Sequence, residues 1–260
     1  MRQARVLFET GAATHVGKVR SRNEDSYLTR PEAGIWAVAD GMGGHEDGDF
    51  ASHTVIEALQ SIEPPGSASE LLALCENGLF DANSRLIEIS RSRGNITGTT
   101  VVVLLAFDGY FASLWCGDSR MYRVRDGKIT QISRDHTEVQ ELLTSGAITP
   151  EEAATWNGTN VITRAIGVHD VPELEMTSDP LNANDVFVMC TDGLTQHVED
   201  REILQCVSDG PSQQACDSLI ALTLERGALD NVTVIVVRYR PDEAELDGGE
   251  IPADAPEQFQ

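Results

Sequence analysis

Long apolar runs broken by Asp-Gly pairs dominate the middle of the chain. "TTVVVLLAF" (Thr99–Phe107) and "YFASLWC" (Tyr110–Cys116) are separated only by Asp108-Gly109. Asp-Gly between such runs predicts a two-residue hairpin turn. The pattern recurs with Met121–Arg125, Asp126-Gly127 and Lys128–Ile132. Two hairpins in succession predict an antiparallel meander. Further strands are expected at 35–39, 160–167, 185–191 and 231–239.

A different spacing appears between them. Leu71, Leu74, Cys75, Leu79, Ala82, Leu86 and Ile89 recur close to every 3.6 residues, which predicts a helix over 67–92. Ala215, Leu219 and Leu222 predict another over 212–226, stopped by Gly227. A third is expected over 50–61. Antiparallel strands with long intervening helices indicate an α+β fold. Several strands are apolar on both faces, which predicts a central β-sandwich of two antiparallel sheets flanked by α-helices.

Composition sets the boundaries. The last stretch, Pro241–Gln260, has seven acidic residues and no Lys or Arg, and reads as a disordered acidic tail. No linker interrupts residues 1–240, which are taken as one domain. Nineteen basic residues face 42 acidic ones, a net charge of −23. Such a chain repels nucleic acid and anionic membranes, so neither is an expected partner. Five cysteines in apolar contexts, with no C-x-x-C, are expected to be reduced core thiols. The N-terminal apolar run is too short for a signal peptide. No apolar run approaches the ~20 residues of a membrane helix. The expected compartment is the cytoplasm.

Charge placement then raises a chemical question. In "WAVADGMGGH" (Trp36–His45) a strand runs into Asp40 and then into three glycines. Asp192 ends the strand before it, and Asp230 begins the next. Asp118 follows the strand 110–116. In antiparallel sheets such positions can meet at one rim. Each is, taken alone, an ordinary turn or cap residue. Taken together, crowded carboxylates repel and require compensation. Oxygen-only ligands suit a hard cation such as Mg²⁺ or Mn²⁺. The glycines after Asp40 and Asp192 would let a main-chain carbonyl approach it. Upstream, "GKVRSRNEDSY" is either solvated surface or a source of supporting acids and a phosphate-binding guanidinium.

The blocks "VRSRNED", "VADGMGGH", "GTTVVV", "GDSRMYRV", "RDHTEVQELLTSGAITPEEA", "NVITRAIG", "CTDGL" and "DNVTVIVV" occur in this order. Together they resemble the type 2C metal-dependent protein phosphatases, and more closely their compact bacterial members. The resemblance covers about Ala12 to Tyr239. It implies hydrolysis of phosphoserine and phosphothreonine in proteins with two or three Mg²⁺ or Mn²⁺ ions. It makes Asp40 a shared metal ligand and Gly41 a carbonyl ligand, with Asp192 and Asp230 completing one metal. Glu24 and Asp25 would hold metal-bound waters, and Asp118 with Asp192 would form a third site. Arg20 would bind the substrate phosphate. Some members carry a histidine, proposed as general acid, where this chain has Met42, which cannot donate a proton. His45 is the substitute here; a solvated loop histidine and a metal-bound water are the alternatives.

The implied partners are phosphorylated proteins, including a Ser/Thr kinase and its substrates, met by a monomer. The implied flap is the polar stretch Arg134–Asn160, otherwise an ordinary helix–turn–helix connection. A hydrolase of small phosphate esters and a non-catalytic phosphatase-like scaffold are the competing readings. The full set of acids argues against the scaffold.

Overall fold

The structure is a computed structural model that describes residues 7–43, 47–153, 155–156, 161–241 and 259. Two antiparallel sheets stack, with helices outside them. One sheet orders β1 (Leu7–His15), β11 (Val232–Arg240), β10 (Val186–Cys190), β7 (Arg120–Arg125) and β8 (Lys128–Gln131). The other orders β2 (Asp25–Arg30), β3 (Ile35–Gly43), β5 (Val101–Phe107), β6 (Tyr110–Cys116) and β9 (Glu175–Pro180). A short β4 (Thr97–Thr99) pairs with the end of β3.

The two-residue period of a strand sorts side chains into three layers. On β3, Trp36 and Val38 point between the sheets, with Val102 and Leu104 of β5 and Phe187 and Met189 of β10. Ile35, Ala37 and Ala39 point outward to α1 (Asp47–Gln60) and α2 (Ala68–Arg93). On the opposite flank, Val232, Val234 and Val236 face α6 (Asp200–Val207) and α7 (Ser212–Glu225). Strands buried on both faces are therefore apolar over most of their length, and the α+β sandwich expected from the sequence is the observed fold. Ser67 caps α2 by accepting from the Glu70 N–H, and Gly94 closes it in a left-handed conformation with φ 73°.

Several expectations need correction. The two Asp-Gly hairpins form, with Asp108, Gly109, Asp126 and Gly127 all at positive φ. They do not form one meander. β6 pairs with β9, whereas β7 pairs with β10 in the other sheet. The chain changes sheets at Gly117, at φ 113°, where a Cβ would stand 2.6 Å from the Thr100 side chain. Of the strand expected over 160–167, the described residues 161–167 form none: Ile162 and Ile166 make only isolated bridges to Thr137 and Thr99, and Val161 is exposed. β3 does not stop at residue 39 but continues through Asp40 to Gly43. The flap stretch carries two short helices, α3 (Glu138–Thr144) and α4 (Pro150–Ala153). All five cysteines are free, and four of them are buried. Most of the acidic tail lies outside the described residues; Phe259 is buried against the α1–α2 layer.

Candidate functional site

Asp25, first residue of β2, stands directly opposite Asp40 of β3 in the ladder. Like charges in that position destabilise a sheet. Asp25 is almost fully buried. Its Oδ2 accepts from Thr191 Oγ1 at 2.8 Å and Thr233 Oγ1 at 2.7 Å, so residues of the opposite sheet hold it. Its Oδ1 has no partner among the described residues. Burial pushes its pKa up to about 7; the two hydroxyls oppose that, and Asp192 and Asp230 add to it.

Asp40 is fixed through its backbone. Its N–H donates to Thr100 Oγ1 at 3.1 Å, and its carbonyl accepts from the Thr100 N–H and Thr99 Oγ1, both at 2.9 Å. Thr100 Oγ1 in turn meets Ser119 Oγ at 2.7 Å, beside Asp118. Burial raises the Asp40 pKa well above the carboxylate range, and Asp25, Asp192, Asp118 and Asp230 raise it further. Residues scattered over the sequence thus share one field.

Asp118 follows β6 and is buried; burial, then Asp192 and Asp135, push its pKa up to about 7. Asp192 opens the short helix α5 (Asp192–Thr195), and its Oδ2 accepts from Gln196 Nε2 at 2.7 Å. Its pKa is raised, chiefly by burial. Asp230 precedes β11; its Oδ2 pairs with Arg20 Nη2 at 2.7 Å, and its Oδ1 accepts from the Asn231 N–H. Arg20 is 53% exposed, so the pair sits at the mouth of the rim. Burial raises the Glu24 pKa, and the Glu24 N–H is held by Asn231 Oδ1 at 2.8 Å.

The glycines have a use the sequence did not reveal. A Cβ on Gly41 would lie 1.9 Å from the Gly48 carbonyl oxygen. A Cβ on Gly193 would lie 1.9 Å from the Asn231 carbonyl oxygen. Each glycine therefore lets another backbone segment touch the one that carries the aspartate.

The Asp118 loop is pinned from the flap side. The Gly117 N–H donates to His136 Nδ1 at 3.1 Å, and the His136 N–H donates to the Gly117 carbonyl at 3.0 Å. Nδ1 is thus an acceptor, leaving the ring proton on Nε2, 3.3 Å from Glu175. Arg120 grips Asp135 with its planar fork, at 2.9 Å through Nε and 2.6 Å through Nη2.

The structure therefore brings Asp25, Asp40, Asp118, Asp192 and Asp230 to one rim, with Glu24, Gly41 and Arg20 beside them. Among the described residues no three such side chains are gathered tightly enough to clasp an ion as they stand. The donor set still fits a hard cation. Asp25, Asp118 and Asp192 each keep one buried carboxylate oxygen with no partner among the described residues, and the donors are all oxygen. His45 lies outside the described residues. Sequence reasoning missed Thr99, Thr100, Thr191, Thr233 and Asn231, although "GTT" and "DNVT" were visible as blocks.

A family model described as Protein phosphatase 2C matches residues 14–221. The serine/threonine protein phosphatase PstP of Mycobacterium tuberculosis is 36% identical over 238 residues, 91% of this chain and 46% of its own. The chain thus spans about half the length of that curated relative. The solved structure of PppA, described as a regulatory component of T6SS in Pseudomonas aeruginosa, is 40% identical with a TM-score of 0.84, covering 90% of this chain and 99% of that one. The catalytic domain of a PstP in complex with two manganese ions is 36% identical with a TM-score of 0.79, covering 90% and 98%.

Proposed function

The chain belongs to the protein phosphatase 2C family, and from that premise we propose that residues 1–240 form a metal-dependent serine/threonine protein phosphatase. The observation that carries the reading is the set of buried carboxylates, brought from both sheets to one rim, three of them with an oxygen that has no partner among the described residues. Asp40, Asp192 and Asp230, with the Gly41 carbonyl, would hold Mg²⁺ or Mn²⁺, as the manganese of the related structure suggests. Asp118 would extend the site to a further ion, and Glu24 and Asp25 would order water around it. Bound there, the ions supply a water acidic enough to act as nucleophile near neutral pH and offset charge on the phosphoryl oxygens.

The chain's own residues do the rest. Arg20 leaves Asp230 and places its fork on the phosphate oxygens, which orients the ester for in-line displacement. Thr191 and Thr233 keep the Asp25 carboxylate turned toward the rim. The Thr99–Thr100 backbone clamp keeps Asp40 in place. His45 is the proposed donor of the proton to the departing serine or threonine oxygen. The partners are phosphoproteins, including a kinase and its substrates, met by a cytoplasmic monomer. A charge of −23 disfavours nucleic acid and anionic membranes, and no described helix is long and apolar enough to cross a bilayer.

The test is hydrolysis of a phosphothreonine peptide and of a small phosphate ester, with and without Mn²⁺, using Asp192→Asn as control. Peptide turnover that needs Mn²⁺ and is lost in the variant supports the reading. Full turnover by Asp192→Asn, or turnover of the small ester alone, overturns it.

A further inference from the structure

The stretch that carries α3 and α4 leaves and rejoins the sandwich beside two of the rim aspartates. Its outgoing end stands on the Asp118 loop, where His136 and Gly117 exchange hydrogen bonds: the Gly117 N–H to His136 Nδ1 at 3.1 Å, the His136 N–H to the Gly117 carbonyl at 3.0 Å. Its returning end stands on the residue that clamps Asp40. The Ile166 N–H donates to the Thr99 carbonyl and the Thr99 N–H to the Ile166 carbonyl, both at 2.9 Å. The two ends also hold each other. The Thr163 N–H donates to the His136 carbonyl at 2.8 Å, and the Glu138 N–H to the Val161 carbonyl at 3.0 Å.

His136 is common to most of these contacts. It is 3% exposed, and its ring stacks on Trp115 with centroids 6.4 Å apart. The Trp115 indole N–H donates to the Arg134 carbonyl at 2.9 Å. His136 Nε2 lies 3.3 Å from Glu175 Oε1, which also takes Arg134 at 2.7 Å and Arg164 at 3.2 Å. One carboxylate thus gathers an arginine from each end of the stretch, with the imidazole between them. Tilting that ring gives up the Gly117 N–H, a buried donor that is costly to orphan. Gly117 is also where the chain changes sheets, at φ 113°, so its place decides where Asp118 emerges.

We propose that His136 is a positioning residue: its ring fixes Asp118 at the rim, and its main-chain carbonyl ties that position to the returning end of the stretch. A disturbance in the stretch therefore reaches Asp118 through one side chain. The inference rests on the phosphatase reading for the ion at Asp118.

The experiment measures Mn²⁺ binding by equilibrium dialysis of the full chain, and amide hydrogen exchange at Gly117 in chelator. The binding step that Asp118→Asn removes identifies the ion held by Asp118. His136→Ala should weaken that step by about tenfold or more, leave the others unchanged and speed exchange at Gly117. His136→Asn places a side-chain oxygen near the position of Nδ1 and should restore both. Glu141→Ala cuts the 2.7 Å bond from Thr163 Oγ1 within the stretch and touches no rim residue. It should weaken the same step in the parent and have no further effect in His136→Ala. The proposal is overturned if Asp118→Asn removes no step, if His136→Asn does no better than His136→Ala, if all steps weaken together, or if Glu141→Ala acts equally in both backgrounds. Neither readout depends on turnover, so a chain that shows these changes but hydrolyses no phosphopeptide strikes the phosphatase reading and leaves the positioning role standing.

Discussion

Asp25 and Asp40 face each other across the β2–β3 ladder, and two threonines of the opposite sheet hold only one of them. Burial of acids at this rim, with like charges around them, sets a pH dependence. The pKa of Asp25 rises from 3.8 to about 7 on folding, and that of Asp118 likewise. A raised folded pKa means the native state binds more protons, so these groups cost stability as pH climbs from about 4 toward 7. In chelator, Asp25→Asn should gain on the parent across that window. Urea midpoints measured at several pH values check this, and parallel curves would contradict it. Saturating Mn²⁺ should stabilise the parent more than the variant.

Removing one Asp25 support should weaken the site without dismantling the fold. Thr233→Val loses the 2.7 Å bond to Asp25 and should cost about 1 kcal/mol. Turnover should fall and the Mn²⁺ requirement rise, with Thr233→Ser restoring both. A variant that loses stability but keeps its Mn²⁺ titration unchanged would make Thr233 a packing residue only.

Glycine substitutions should separate by sign. Gly193→Ala forces a Cβ to within 1.9 Å of the Asn231 carbonyl and should cost roughly 1–3 kcal/mol, with activity lost. Gly78, inside α2, has its nearest neighbour at 3.7 Å, so Gly78→Ala should stabilise by about 0.5–1 kcal/mol. Thermal melts of the two variants give the answer.

Arg20→Ala should lower kcat/KM for a phosphopeptide by roughly 10- to 100-fold, through loss of charge-assisted bonds to phosphate. Its surface pair with Asp230 contributes little to folding, so the urea midpoint should barely move. Unchanged kinetics would remove Arg20 from the site.

The layers were legible because β3, β5, β10 and β11 are apolar on both faces, which only a doubly covered sheet explains. β1 and β9 were not. "LFETGAATH" mixes glycine and polar residues, since Gly11 touches the start of α7, and "EMTSDP" is a half-exposed edge. The aspartates stood out because each follows or precedes an apolar run. Their supports did not. A threonine hydroxyl that crosses from one sheet to the other has no local signature, and only the fold brings Thr233 to Asp25. The change of sheet at Gly117 was equally hidden, because a hairpin signal says nothing of which neighbour the hairpin joins.

The bonds from Asp25 to Thr191 and Thr233 run between the layers, and the rim takes Asp40 from one layer and Asp192 from the other. Sliding of the sheets past each other therefore changes the spacing of those carboxylates. The interlayer aromatics Phe111 and Phe187, with centroids 4.7 Å apart, act as a spacer for that gauge. Thinning the spacer with Phe187→Leu should loosen Mn²⁺ binding although the residue touches none of the acids.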